Sequence, residues 1–242
     1  MNRTSITGLA CLLAVALTAC AGGGEPPAPS GSPASAPLEA LKEPANSMSV
    51  SPPLSPAPVS AEALAAYRAL LAGEPGALDR PPEGLELHQV TLPPAEELEY
   101  VLLDLDGDGG AELVVQMVAQ PHQFNAVFHY GDGELSCWQY DIMEMSCRDY
   151  PLGDGAMVRQ YDTGTGPNRY SNLYTVFRYL PDGETEECAS LAVHQDTQED
   201  GTEVFTYLVD DAEVDQDTFA AEFEELVGSR LLSLEDWTPA TE

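Results

Sequence analysis

The chain contains the stretch YVLLDLDGDGGAELVVQMV between Tyr100 and Val118. An apolar run ends at Leu103, and an acidic, glycine-rich segment follows it before a second run that starts at Glu112. Valine favours the pleated surface of a strand, whereas glycine and aspartate favour turns. The stretch therefore predicts two strands joined by an acidic loop.

Further strands are predicted downstream, where apolar and aromatic runs are separated by Asp-Gly turns. The runs lie at residues 125–130, 134–140, 173–179, 188–193 and 203–209. Gly131-Asp132-Gly133 predicts a hairpin between the first two of them. This succession predicts an antiparallel meander with one packed face and one face in water.

Two helices are predicted at the ends of this strand region. Apolar residues recur at helical spacing between Ser60 and Leu71 and again between Asp215 and Val227. Ser60 is predicted to cap the first helix, and Asp215 or Asp217 the second, because serine and aspartate are good N-cap residues. Trp237 follows the second helix and is expected to pack on the core. The predicted fold class is α+β: an antiparallel β-meander sheet flanked by an N-terminal and a C-terminal helix, in a single domain.

The N-terminal residues have the pattern of a secretion signal. One charge, at Arg3, precedes an apolar run from Leu9 to Leu17, which is shorter than the about 20 residues that a membrane-spanning helix needs. The sequence Leu-Thr-Ala-Cys ending at Cys20 resembles the lipobox of bacterial lipoproteins. The resemblance implies a lipoprotein signal peptide over residues 1–20 and a lipid on the Cys20 thiol. The alternative is an ordinary signal peptide with a cysteine at this place by chance.

Three regions are expected along the chain. The signal peptide occupies residues 1–20, and residues 21–59 are rich in proline, alanine and serine, which predicts a disordered tether. Residues 60–242 are expected to form the α+β domain. This order predicts a protein attached to the membrane through lipid at Cys20, with its domain on the extracytoplasmic face of the bacterial cell membrane.

The charge balance excludes one class of partner. The chain has 41 Asp and Glu against 9 Lys and Arg, a formal net charge of −32. Such a surface repels nucleic acid and anionic lipid, so neither is expected as a partner. The charge favours cations and basic partners, and it also promotes solubility. A cell-wall polymer, a peptide or a protein remains a possible ligand.

The cysteines leave two alternatives open. Cys137 and Cys147 either form a disulfide across a hairpin in an oxidising compartment or remain partly buried free thiols. Spacing alone does not decide between them, because a disulfide requires close Cβ atoms.

The acidic loop, residues 104–112, carries the chemistry that the sequence identifies. Its carboxylates recur at loop positions 1, 3, 5 and 9, and a glycine occupies position 6, where an EF-hand loop turns sharply. Calcium takes 6–8 oxygen ligands in flexible geometry. The loop therefore predicts a calcium site whose ion is structural. The predicted ligands are the side chains of Asp104, Asp106, Asp108 and Glu112 and the backbone carbonyl of Gly110.

The loop is similar to known calcium loops but matches only some of their features. Val115 stands where an EF-hand has its bidentate glutamate, and strands flank the loop. Ligands at positions 1, 3, 5, 7 and 9 between strands resemble the FG-GAP and VCBS calcium loops of β-propeller blades. One copy cannot make a propeller. Residues 60–240 also resemble poorly characterised surface lipoproteins of Gram-positive bacteria, which share an Asp-x-Asp-Gly-Asp/Asn-Gly-x-x-Glu-Leu signature. That resemblance implies a cell-surface location and calcium binding.

No catalytic motif stands out elsewhere. Asp162-Thr163-Gly164 has the tripeptide of aspartic proteases, but that chemistry requires two such carboxylates and the chain has one. The four histidines are not spaced as a zinc helix. The sequence therefore favours a non-enzymatic surface module that binds a ligand. The alternative is an extracytoplasmic hydrolase with a carboxylate site that no motif reveals.

Overall fold

The computed structural model describes residues 57–140, 147–166 and 168–241. The predicted signal peptide, Cys20 and the predicted tether as far as residue 56 lie outside these ranges. No helix within the ranges has both the length and the apolar character that crossing a bilayer requires.

The strands form two antiparallel sheets. In chain order they are β1 (Leu98–Leu103), β2 (Glu112–Met117), β3 (Gln120–Gly131), β4 (Glu134–Tyr140), β5 (Cys147–Pro151), β6 (Met157–Gly166), β7 (Arg169–Tyr179), β8 (Thr185–Thr197), β9 (Glu203–Val209), β10 (Ala212–Val214) and β11 (Thr238–Pro239). The first sheet has the order β11-β1-β2-β3-β4, and the second has the order β10-β9-β8-β7-β6-β5. Apart from β11, which pairs with β1, neighbouring strands in each sheet are consecutive in the chain. The predicted meander is therefore confirmed, although its strands divide into two sheets.

Both predicted helices are present, and each begins at a predicted cap. Helix α1 spans Ala61–Leu71, and the Ser60 hydroxyl accepts a hydrogen bond of 3.0 Å from the amide of Ala63. Helix α2 spans Gln216–Leu226, and the Asp215 carboxylate accepts one of 2.7 Å from the amide of Thr218. A side-chain acceptor at each N-cap satisfies a backbone donor that has no partner within the helix. The α+β class, mostly sheet, is therefore confirmed.

Apolar side chains form three clusters that order these elements into layers. One cluster joins α1 to the first sheet, and another joins α2 to the second sheet. The third cluster contains residues of both sheets and connects them. Its buried members are Val101, Leu103, Leu105, Val114, Val127, Met157, Phe177, Tyr179 and Trp237. The sheets thus pack on each other, and each has a helix on its opposite face.

The alternation along β2 shows how one strand serves two layers. Leu113 and Val115 belong to the cluster with α1, whereas Val114 belongs to the cluster between the sheets. All three side chains are fully buried, because both faces of this strand are covered. Trp237 also lies in the cluster between the sheets and is 7% exposed, as expected for a residue that packs back on the core.

The Cys137 thiol is buried and free. It donates a hydrogen bond to the carbonyl oxygen of Gln139 at 3.1 Å, and burial raises its pKa to about 12. Of the two alternatives left open by spacing, the structure adopts the free thiol at Cys137.

Candidate metal centre

The acidic loop lies between β1 and β2, where these strands begin to pair. Leu103, the last residue of β1, pairs with Glu112, the first residue of β2. Between them, Gly107 and Gly109 have φ angles of 78° and 88°, which L-residues with side chains rarely adopt. The glycines therefore let the backbone curl within the few residues that separate the strands.

Three of the predicted ligands converge on one side of this curl. Carboxylate oxygens of Asp104, Asp106 and Asp108 all lie within 4.8 Å of one another. Two oxygens that bind one calcium ion at about 2.4 Å cannot be more than about 4.8 Å apart. The spacing of the three carboxylates therefore fits a common ion, and carboxylate oxygen is the ligand that hard cations prefer.

Backbone amides of the loop orient these carboxylates. The two oxygens of Asp104 accept hydrogen bonds from Gly107 at 2.8 Å and from Gly109 at 3.1 Å. Asp106 Oδ1 accepts one from the amide of Asp108 at 3.0 Å. Asp108 Oδ1 accepts one from the amide of Gly110 at 2.6 Å. The carboxylates are thus positioned by the loop itself, and Gly110, the predicted carbonyl ligand, takes part through its amide.

One carboxylate oxygen of Asp106 lacks a hydrogen-bond partner among the described residues. This atom, Oδ2, is buried. Burial raises the pKa of Asp106, and the charges of Asp108 and Asp104 raise it further. A buried, unpartnered carboxylate oxygen costs free energy, and a cation at this point would remove that cost.

Glu112, the fourth predicted carboxylate ligand, points into the protein. Its side chain is 2% exposed, and its two oxygens contact the amide of Leu105 at 2.7 Å and Nδ1 of His129 at 3.0 Å. Burial raises the pKa of the Glu112 carboxyl. The pKa of His129 is also raised, in its case by the hydrogen bond with Glu112. Asp106, Glu112 and His129 offer ligand atoms that again lie within 4.8 Å of one another.

His129 is a site residue that was not predicted from sequence. Leu113 pairs with Phe128 in the register of β2 and β3, so Glu112 and His129 lie opposite each other on one face of the sheet. The imidazole of His129 stacks on Trp138, with ring centroids 4.4 Å apart and planes 11° apart. Trp138 in turn stacks on Tyr179 of the second sheet at 5.3 Å. The site thus adjoins the contact between the sheets.

A pocket of about 390 Å³ opens beside Glu112 and His129. Asp108, Gly110 and Ala111 form part of its wall, and the segment 58–60 before α1 forms another part. The pocket thus lies between the loop and the segment that precedes α1.

Two buried carboxylates of the second sheet have arginine partners. Asp162, from the Asp-Thr-Gly tripeptide, is 7% exposed and pairs with Arg148 at 3.1 Å. Asp149 is 1% exposed and pairs with Arg159 at 2.8 Å. An arginine neutralises each carboxylate, which is the arrangement expected of structural ion pairs.

Comparison of the chain with models of protein families, with curated proteins and with solved structures finds no match.

Proposed function

We propose that the loop 104–112 binds calcium as a structural ion in a non-enzymatic binding module on the bacterial cell surface. Convergence of Asp104, Asp106 and Asp108 within 4.8 Å carries the metal part of this proposal. The buried, unpartnered Oδ2 of Asp106 supports it independently. Oxygen is the only ligand element of this group, which favours calcium or another hard cation over a softer metal.

An ion in this loop would stabilise more than the loop. The carbonyl oxygen of Asp104 lies close to Gly155 in the turn between β5 and β6, and the carbonyl of Ala111 accepts a hydrogen bond from Tyr67 of α1. The loop therefore contacts the second sheet and the first helix. An ion that binds the native loop but not the unfolded chain stabilises the whole fold by mass action.

A thermal melt tests the calcium proposal directly. The melting temperature of the purified protein is measured in chelator, in calcium and in magnesium at equal millimolar concentrations. A calcium concentration of 100 times the dissociation constant adds about 2.7 kcal/mol to the free energy of unfolding. This raises the melting temperature of a domain of this size by several degrees. We expect the rise with calcium and a smaller one with magnesium, which prefers a stricter octahedral geometry.

Three matched variants locate the effect. Asp104→Asn and Asp108→Asn each remove one charge. Asp108→Asn keeps an oxygen that can accept its loop hydrogen bond, whereas Asp104→Asn keeps an acceptor for only one of its two. Asp132→Asn makes the same change in an exposed turn, where φ is 53° and asparagine is well tolerated. We expect the two loop variants to lose the calcium response and Asp132→Asn to keep it. An unchanged melting temperature of the unsubstituted protein at millimolar calcium contradicts the proposal.

The non-enzymatic part rests on the partners of the buried carboxylates. Asp149 and Asp162 each pair with an arginine, which is the arrangement of structural ion pairs. The ligand of such a module is a cell-wall polymer, a peptide or a protein. Pull-down with purified cell wall tests the first of these, with and without calcium.

The proposed location rests on the N-terminal sequence. A lipid on Cys20 would anchor the protein to the extracytoplasmic face of the membrane through the tether. Metabolic labelling with a fatty-acid analogue checks this. We expect label and membrane recovery with the native sequence, and loss of both in Cys20→Ser.

A further inference from the structure

We propose that Asp106, Glu112 and His129 form a second metal site, suited to zinc or a similar transition ion, which shares Asp106 with the acidic loop. The proposal does not depend on calcium binding to the loop. It rests on a mixed set of ligands, two carboxylates and one imidazole, that the antiparallel pairing of β2 and β3 brings together.

The spacing of the ligand atoms is close to that around a zinc ion. Glu112 Oε1 and His129 Nδ1 are 3.0 Å apart, and all three ligand atoms lie within 4.8 Å of one another. Atoms that bind zinc tetrahedrally at about 2.0–2.2 Å are roughly 3.3–3.6 Å apart. Glu112 and His129 are thus near this spacing already, and a ligand atom of Asp106 lies within 4.8 Å of theirs.

Neighbouring groups orient the two inner ligands. The amide of Leu105 donates to Glu112 Oε2 at 2.7 Å and leaves Oε1 directed at His129. The indole of Trp138 lies flat on the imidazole at 4.4 Å. Partners of this kind fix the orientation of metal ligands, and their removal commonly weakens metal binding tenfold or more. The Glu112–His129 pair is therefore preorganised.

The third ligand contributes an independent observation. Asp106 Oδ2 is fully buried and accepts no hydrogen bond from the described residues, although its other oxygen is engaged by the amide of Asp108. Buried carboxylate oxygens are normally paired. A metal ion bound by Glu112 and His129 would offer this carboxylate a partner, because a ligand atom of Asp106 lies within 4.8 Å of theirs.

The site is accessible. Glu112 and His129 both line the pocket of about 390 Å³ beside the loop. Water in this pocket can complete the coordination of an ion that has three protein ligands, as in open zinc sites. Imidazole distinguishes this site from the loop, because calcium prefers oxygen ligands whereas zinc, nickel and copper accept imidazole nitrogen.

Titration of the purified, chelator-treated protein with zinc tests the proposal. Binding is followed by isothermal titration calorimetry in the unsubstituted protein and in His129→Gln, Glu112→Gln and Asp104→Asn. His88→Gln is the matched control, because the His88 side chain is 77% exposed. We expect saturable binding, a loss of at least tenfold in affinity in His129→Gln and Glu112→Gln, and unchanged affinity in Asp104→Asn and His88→Gln.

The variants also separate this proposal from the calcium proposal. Asp104→Asn should remove the calcium response and keep zinc binding, and His129→Gln should do the opposite. Asp106→Asn should weaken both. Zinc affinity that is the same in His129→Gln as in the unsubstituted protein overturns the second site whatever calcium does.

Trp138 gives a measurement that needs no substitution. Cobalt at the site would quench the indole emission, because Trp138 stacks on the His129 ring. Cobalt bound by nitrogen and oxygen ligands would also give a visible absorption band. Zinc should displace cobalt and restore the emission. Absence of quenching and of the band at saturating cobalt overturns the proposal, even if His129→Gln does not fold.

Discussion

The Tyr67 hydroxyl donates a hydrogen bond of 2.8 Å to the carbonyl oxygen of Ala111 and accepts one of 3.2 Å from the amide of Tyr130. Tyr67 is 2% exposed, and burial, together with the nearby charge of Glu112, raises the pKa of its hydroxyl well above the ordinary value. One neutral, buried hydroxyl thus connects α1, the acidic loop and β3.

Removal of this hydroxyl should affect both stability and the loop. Tyr67→Phe leaves the carbonyl of Ala111 and the amide of Tyr130 without their partner, which typically costs about 1–3 kcal/mol. We expect a lower urea midpoint and weaker calcium binding. Tyr161→Phe is the control, because Tyr161 is 38% exposed. Equal midpoints for Tyr67→Phe and the control would show that the hydroxyl does not contribute.

The approach of the two sheets at Gly155 gives a second prediction. A Cβ atom at Gly155 would lie 2.0 Å from the carbonyl oxygen of Asp104, and φ at Gly155 is +84°. Gly155→Ala therefore combines backbone strain of about 1–2 kcal/mol with a clash that adds ~1–3 kcal/mol. Gly201 has φ of +83° and no neighbouring atom within 4 Å of such a Cβ, so Gly201→Ala has the strain alone.

Chemical denaturation of the two alanine variants separates strain from clash. We expect Gly155→Ala to lose more free energy of unfolding than Gly201→Ala and also to lower calcium affinity, because the clash displaces the backbone of Asp104. Equal losses in the two variants would mean that the sheets do not approach closely at this point.

The ring of His122 is expected to make the free energy of unfolding depend on pH. Its ring lies 4.2 Å from that of Tyr150, and burial, with a smaller effect from the charge of Arg148, lowers its pKa from 6.5 to about 4. Between these two values the unfolded chain binds a proton that the folded chain does not. Stability contributed by neutral His122 is therefore present above pH 6.5 and is lost as pH falls toward 4, at up to about 1.4 kcal/mol per pH unit.

A variant without the titrating ring isolates this effect. His122 has φ of 65°, which asparagine tolerates, so His122→Asn avoids added backbone strain. We expect its free energy of unfolding to vary less between pH 4 and 6.5 than that of the unsubstituted protein. His88→Asn, at an exposed position, should leave the slope unchanged. A slope unaltered in His122→Asn rules out this histidine as its source.

Local features of the fold were predictable where a few adjacent residues determine them. The side chains of Ser60 and Asp215 cap their helices by accepting a hydrogen bond from the amide three residues later. The Asp132-Gly133 turn has positive φ at both residues. Such features depend on neighbours in sequence. The division of the strands into two sheets depends on which strand faces pack together. Strands of both sheets have the same alternation of apolar and polar residues, so the sequence alone predicted a single sheet.

The pairing of Glu112 with His129 illustrates the same limit within the site. Met117 pairs with Gln120 beside the turn, but Gln116 pairs with Asn125 because the register shifts between them. A register counted from the turn would place Glu112 opposite residue 125 and not opposite His129. Extra residues on β3 cause this shift, so His129 becomes recognisable as a site residue only once the fold is known.

The first sheet has one strand that comes from the far end of the chain. β11 pairs with β1 through Tyr100 and Thr238, and Trp237 beside it fills the contact between the sheets. A chain that emerges N-terminus first from a ribosome or a translocation channel can form the hairpins of this sheet early, since their strands are neighbours. It cannot complete this sheet edge, or close the interior next to the acidic loop, until β11 and Trp237 have also emerged. The edge and the interior beside it are thus closed only by a segment distant in sequence from the strand with which it pairs.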